Sequence, residues 1–221
     1  MSRYSPDFLI RNGKTVITAH SGCEKTPDNS REHILAAIDS GAEMIEVDVR
    51  LADNGVLYLS HDVPDDIGIR PTLRDLFELI GPEENMRMNL DAKTEGLVEP
   101  VMALAKEYGL TGRIIFTGSC NSDRLLAKSL GADVWRSMWQ GDSVPDGIRA
   151  SQEDGSPYLN VHYSMITEEY DRELRKIGAG FSAWTVNDEE NIRRFLKMGI
   201  SNITTRTPRL ALRLRKEIQG V

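Results

Sequence analysis

His20, Glu46, Asp48, His61, Asp91 and Lys93 are the residues of this 221-residue chain whose types and spacing could do chemistry together. An imidazole titrates near neutral pH, so it can take up a proton and return it within one reaction. Glu46 and Asp48 stand two residues apart, as do Asp91 and Lys93, and on a β-strand each such pair points to one face. Three carboxylates aimed at one spot repel one another unless a cation lies between them. An oxygen-only donor set suits a hard ion, Mg²⁺ or Ca²⁺. Zinc is disfavoured, because neither Cys23 nor Cys120 falls at metal-ligand spacing from a histidine. A single E-x-D pair is usually a solvated rim pair, and a lone histidine after a strand means little. The inference depends on all four groups occupying equivalent places in the fold.

Those places are the carboxyl ends of short β-like runs. Residues 15–19 lead into His20, 44–49 hold Glu46 and Asp48, 56–60 lead into His61, and 86–91 end on Asp91. Further strands are predicted at 113–117, 158–162, 181–186 and 202–205. Between them run amphipathic helices. The first has Asn29 as N-cap with Glu32 three residues on, a stripe of Ile34, Leu35 and Ile38, and a stop at Gly41. Thr72 opens the next, with Leu73, Leu76, Phe77 and Ile80 on one side. Leu97, Val101, Leu104, Ala105 and Tyr108 mark a third, and Leu125, Leu126 and Leu130 a fourth. Helices at 168–177, at 189–198 behind Asn187 or Asp188, and behind Thr207 with Pro208 complete the series. Residues 133–156 are the least regular: 134–135 read as a short strand and 141–147 as a loop.

About eight strand–helix units without a linker predict a parallel sheet covered by helices. Its expected form is a single-domain (β/α)₈ barrel (TIM barrel) over residues 1–221, with an open doubly wound sheet as the alternative. A barrel builds its active face from the carboxyl ends of its strands, where the four groups fall. Composition agrees with a soluble globular chain, at 40% hydrophobic and 28% charged residues. A net charge of -7 disfavours nucleic acid and anionic membrane as partners, while a local cation could still draw in a small anion. Two cysteines make no disulfide framework, residues 1–13 lack the apolar run of a signal peptide, and no stretch is long enough for a membrane span. A cytoplasmic protein is therefore expected; the sequence sets no oligomeric state. Phosphate-loop, H-E-x-x-H and dinucleotide motifs do not occur.

Longer motifs surround the same residues. A-H-S-G-C-E-K-T-P-D-N-S (19–30), I-E-V-D-V-R (45–50) and L-S-H-D (59–62) resemble the N-terminal signature of glycerophosphodiester phosphodiesterases. N-L-D-A-K (89–93), A-W-T-V-N (183–187) and G-I-S-N-I-T-T-R-T-P (199–208) continue that resemblance in order along nearly the whole chain. It implies hydrolysis of a small phosphodiester, a glycerophosphodiester, to a phosphomonoester and an alcohol. It also implies one divalent cation on Glu46, Asp48 and Asp91, with His20 and His61 as the acid–base pair and Lys93 on the phosphate. Which histidine is the acid, and whether water or a substrate hydroxyl attacks, stay open. Trp184 would stack on an apolar substrate group or pack in the core.

The chain departs from the family pattern in four places. Ser21 follows the first histidine where arginine is usual, leaving a neutral hydroxyl as the substrate contact in place of a charged fork. Asp91 replaces a glutamate, the segment from His61 to Thr72 lacks a common insertion, and Thr204-Thr205-Arg206 stands where the family tends to have Thr-Asp-Arg. Arg50, Arg70 or Arg206 could return the lost charge. A barrel that binds a phosphorylated ligand without turnover, and a lyase or isomerase on a non-phosphate substrate, are the competing readings. Among other residues, Trp135 could line the cavity, His162 could face the mouth, His33 reads as structural or exposed, and Cys23 as a loop thiol.

Overall fold

Alternation of β-branched runs with apolar stripes at helical spacing does produce alternating strands and helices. The structure, a computed structural model, describes residues 14–221; residues 1–13, on which the signal-peptide reading rests and where the expected domain begins, lie outside the described residues. The strands are β1 (Val16–Ala19), β2 (Met44–Leu51), β3 (Leu57–Leu59), β4 (Arg87–Ala92), β5 (Ile114–Gly118), β6 (Asp133–Val134), β7 (Arg136–Met138), β8 (Tyr158–His162), β9 (Gly180–Trp184) and β10 (Asn202–Thr205). The helices are α1 (Arg31–Ser40), α2 (Leu73–Ile80), α3 (Val98–Glu107), α4 (Arg124–Ser129), α5 (Val144–Asp154), α6 (Glu168–Lys176), α7 (Glu189–Met198) and α8 (Pro208–Gln219).

Parallel ladders join β1 to β2, β2 to β4, β4 to β5 and β5 to β6, then β7 to β8, β8 to β9, β9 to β10, and β10 back to β1. β6 and β7 flank Trp135 and form one interrupted strand, so the ring has the eight members of a (β/α)₈ barrel. β3 stands outside the ring, paired antiparallel with the far end of β2. No helix of the described residues is long and apolar enough to cross a membrane.

Each strand is buried on both faces, and alternate residues serve different layers. Ile45, Val47, Met88, Leu90 and Phe116 turn outward under the first helices, while Ile17, Leu159, Phe181 and Ile203 do the same in the second half. The inward residues begin with an apolar floor of Val16, Met44, Ile115, Trp135 and Tyr158. The Trp135 and Tyr158 rings lie 4.9 Å apart there. Trp135 therefore plugs the end of the barrel opposite the strands' carboxyl ends and does not line the cavity. Above the floor the inward residues are polar, and buried polar groups need partners. Thr18 Oγ1 donates to Asn202 Oδ1 at 2.7 Å, Asn202 Nδ2 to Ser182 Oγ at 3.0 Å, and Ser182 Oγ to Asn160 Oδ1 at 2.8 Å. This belt supports the site built on top of it.

Some local expectations are corrected. Ser30 caps α1, its hydroxyl accepting from the His33 amide, while Asn29 adopts φ 53° and turns inward. The buried face of α1 is His33, Ile34 and Ala37, and Leu35 is exposed. Leu125, Leu126 and Leu130 likewise face outward, because α4 packs through Arg124 and Ala127. Of the loop-like residues 141–147, 141–143 do form a turn, while 144–147 begin α5, with Ser143 as N-cap and Pro145 in the first turn. Serine, proline and aspartate suit helix starts as well as loops, which explains the ambiguity. Thr72 opens α2 with a full capping box to Asp75.

Candidate active site

A cavity of about 450 Å³ opens at the carboxyl ends of the strands, and His20, Ser21, Glu46, Asp48, His61, Asp91, Lys93 and Trp184 all line it. The β2–β4 register sets Asp48 beside Asp91, and the alternation brings Glu46 to the same face one step deeper. Glu46, Asp48 and Asp91 each offer an oxygen within 4.8 Å of the others. Asn29 braces the centre of this group. Its Nδ2 donates to Asp48 Oδ2 at 2.7 Å, and its Oδ1 accepts from the Asp48 amide at 2.9 Å. The Ser21 amide donates to Glu46 Oε2 at 3.1 Å, and Lys93 Nζ reaches Asp48 at 3.0 Å and Asp91 at 2.7 Å.

Electrostatics shows a cluster with unrelieved negative charge. Burial pushes the Glu46 carboxyl well above its ordinary range, and Asp48 and Asp91 push the same way. Burial would lower the Lys93 ammonium, but its two carboxylate partners outweigh that and raise it. Ligands on opposite sides of Mg²⁺ stand about 4.0–4.2 Å apart, and those across Ca²⁺ about 4.6–5.2 Å. The spacing, the all-oxygen donors and the penalty on ionising Glu46 in the absence of a cation therefore fit a hard divalent ion. Gly118 closes in behind the cluster at φ 78°, where any Cβ would collide with Asp91 Oδ1 and the Ala92 backbone. Only glycine fits there.

Hydrogen-bond partners decide the tautomers of both imidazoles. His20 Nδ1 lies 2.8 Å from the Ser21 carbonyl, which can only accept, so Nδ1 carries the proton. Arg206 Nε, also a donor, stands 3.4 Å from the same nitrogen, and is there a close neighbour without a hydrogen bond. His61 Nδ1 donates to Asp62 Oδ1 at 3.0 Å. Each ring thus keeps Nε2 available for proton exchange, and His20 Nε2 sits 3.7 Å from Glu46 Oε2. His20 is mostly enclosed, and burial first of all holds its imidazole below the ordinary value. His61 is exposed at the rim, its carbonyl accepting from Arg50 Nε and Nη2.

Several residues carry structural facts that their sequence context did not reveal. The Ser21 hydroxyl is buried and accepts from the Asn29 amide at 2.9 Å. Trp139, Asp28, Thr117 and Arg206 also line the cavity. Arg70 instead borders a separate groove beside residues 27–34. His162 lies behind Trp184, the rings 5.5 Å apart and edge to face, with Ser164 Oγ 2.7 Å from its Nδ1. Cys23 and Cys120 are buried free thiols pushed up to about 12, chiefly by burial, and are unreactive at neutral pH.

His33 is fully buried beneath the site, and neither ring nitrogen makes a hydrogen bond. Burial, followed by the charge on His20, lowers its imidazole to about 4, against a weaker upward pull from the Ala19 carbonyl. Between pH 6.5 and 4 the unfolded chain binds a proton at this residue that the folded chain refuses. Stability is thus retained above that window and lost as the pH falls through it, by about 1.4 kcal/mol per unit. Denaturant titration at pH 7 and pH 5 should show a loss of roughly 2 kcal/mol that His33→Leu largely abolishes. An identical loss in the variant would assign the acid sensitivity to other groups.

No family model matches the chain. A curated glycerophosphodiester phosphodiesterase from Caldanaerobacter subterraneus is 25% identical over 238 residues, covering 91% of this chain and 98% of that protein. Among solved structures, the glycerophosphodiester phosphodiesterase of Thermotoga maritima has TM-score 0.70 at 24% identity, covering 91% of this chain and 98% of its own. An Oleispira antarctica phosphodiesterase, solved with the product sn-glycerol-3-phosphate, has TM-score 0.75 at 19% identity and covers 91% and 96%. Sequence likeness running almost end to end, joined to a shared barrel, makes this chain similar over nearly its whole length to curated glycerophosphodiester phosphodiesterases, which are phosphoric diester hydrolases.

Proposed function

We propose that this protein hydrolyses a small phosphodiester, a glycerophosphodiester, to a phosphomonoester and an alcohol, using one divalent cation and the His20–His61 pair. The observation that carries this reading is the meeting of three carboxylates and two imidazoles, each with Nε2 free, in one cavity. The product named for the Oleispira antarctica phosphodiesterase supports a glycerol phosphate product here.

Glu46, Asp48 and Asp91 would hold the cation, and Asn29 keeps Asp48 in place for it. Bound there, Mg²⁺ or Ca²⁺ would draw charge from the non-bridging phosphate oxygens and make phosphorus easier to attack. The cavity is lined by four carboxylates, with Asp28 the fourth, against two permanent cations, Lys93 and Arg206. With a divalent ion on the three carboxylates that sum would be neutral, and the cavity would admit an anionic diester. One imidazole takes the proton of the attacking hydroxyl or water, and the other returns a proton to the departing alkoxide. Lys93 lies beside the cluster for contact with the phosphate, and Trp184 offers a half-buried ring face to the rest of the substrate. The Ser21 amide steadies Glu46, so its backbone as well as its side chain borders the substrate region. The two buried free thiols suit a reducing cytoplasm.

The test is turnover by purified protein of a panel of glycerophosphodiesters and an aryl phosphodiester, with Mg²⁺, Ca²⁺ or a chelator. Product formation that the chelator stops is expected. Thermal stabilisation by sn-glycerol-3-phosphate with no product from any diester would instead identify a binding barrel.

A further inference from the structure

The positive charges around the cavity are unequally committed. Lys93 gives two of its three donors to Asp48 and Asp91, at 3.0 and 2.7 Å, which leaves one for the phosphate and most of its charge already paired. Arg50 gives Nε and Nη2 to the His61 carbonyl, and Arg70 borders a different groove. The Ser21 hydroxyl is buried and neutral, and it accepts from the Asn29 amide. Arg206 differs from all of these. It follows β10 and lines the cavity beside His20. Its backbone is tied on both sides: its amide donates to Asn187 Oδ1 at 2.8 Å, and its carbonyl accepts from the Glu24 amide at 2.8 Å. The guanidinium is thus presented from a fixed base. Nη2 donates to Asp28 Oδ2 at 3.1 Å, and Nε stands 3.4 Å from His20 Nδ1 without bonding it.

The Arg206–Asp28 pair is exposed, at 45% and 53% of the two side chains, so water screens it and its partners are easily exchanged. A guanidinium carries five donors in a rigid fork that matches two oxygens of a phosphate. We propose that Arg206 is the anion clamp of this site, resting on Asp28 and exchanging that carboxylate for the non-bridging oxygens of the substrate. The inference builds on the phosphodiesterase reading and adds the residue that recognises the substrate's charge. It also gives Asp28 a role, that of a carboxylate which competes with the substrate for the same donors.

Kinetics and binding should be measured on the full-length metal-loaded protein, with a glycerophosphodiester as substrate and sn-glycerol-3-phosphate as calorimetric probe. Arg206→Ala should raise KM and weaken the probe's affinity by roughly 10- to 100-fold, the usual effect of losing a charge-assisted contact. Arg206→Lys should recover part of this, since it returns the charge without the fork. Asp28→Asn, by removing the competitor, should lower KM several-fold. Arg193→Ala, whose side chain pairs with Glu189 and Glu217 on the outer helices, serves as the control and should change neither constant. Unchanged KM and probe affinity in both Arg206 variants would overturn the proposal. A higher KM in Asp28→Asn would overturn the exchange, making Asp28 a support for Arg206. If Arg206→Ala fails to fold, Arg206→Lys decides the matter alone. If no diester is turned over while the Arg206 variants still lose the probe, the clamp stands and the phosphodiesterase reading falls.

Discussion

His20→Ala is expected to lower kcat by about 10²- to 10⁴-fold, with KM and thermal stability close to those of the parent protein. The ring meets the cavity through Nε2, and its Nδ1 is bound to a carbonyl that cannot take the proton's place as a donor. Alanine therefore removes the one nitrogen able to exchange a proton, together with the 3.7 Å approach to Glu46. The imidazole is part of the cavity wall and partly exposed, so the cost should fall on chemistry. His61→Ala should behave similarly, because its Nδ1 is likewise committed, to Asp62. When two residues act in one reaction, their losses are not additive, so the double variant should fall far short of the product of the single losses. Single-turnover rates check this directly. A rise in KM with unchanged kcat would move His20 from proton transfer to substrate binding.

Glu46→Gln should produce opposite effects on the metal-free and metal-loaded protein. Without a cation, burial and the charges of Asp48 and Asp91 disfavour ionised Glu46, so the neutral amide should raise stability. A gain on the order of 1 kcal/mol, about 2–4 °C in Tm for a chain of this length, is expected at pH 7. The sign follows from linkage: a carboxyl raised above 4.5 binds more protons folded than unfolded, so its cost appears above that pH and disappears as the solution is acidified. The advantage of the variant should therefore shrink toward pH 4.5. With Mg²⁺ or Ca²⁺ the order reverses. An ion at 100 times its Kd stabilises the parent protein by about 2.7 kcal/mol, and the variant should lose most of that, as should the parent protein after chelation. Thermal melts with and without metal give all four values. A parent Tm indifferent to both ions, with Glu46→Gln less stable, would show that the carboxylates hold no cation.

The legible part of the site was the part governed by distance along the chain. Residues two apart on a strand share a face, so Glu46 with Asp48 could be paired before any fold was known. Strand ends in a parallel barrel share a rim, so His20, His61 and Asp91 could be added to them. The strand boundaries at 158–162 and 202–205 agree with the sequence reading for the same reason, since alternation and turn residues are local signals. Where a residue's type served two roles, sequence alone could not choose. Asn29 is a good N-cap by type, yet Ser30 takes that role and Asn29 braces Asp48 from 19 residues away. Leu35 has the chemistry of a core residue but lies on the outer side of α1, because packing selected the stripe through His33 and Ala37.

Ring closure decided the rest. Trp135 and Trp139 are four residues apart in the irregular segment, and the interrupted β6–β7 strand sends one to the barrel floor and the other to the cavity. β1 joins β10 across almost the whole chain, and that ladder sets Arg206 beside His20 at a separation of 186 residues. The backbone at Gly118 closes on Asp91 only because β4 and β5 run side by side in register. Residue types and their spacing were enough to propose the chemistry: carboxylates for a hard ion and imidazoles for protons. Which side chains complete the site depended on non-local strand pairing, which no local periodicity encodes.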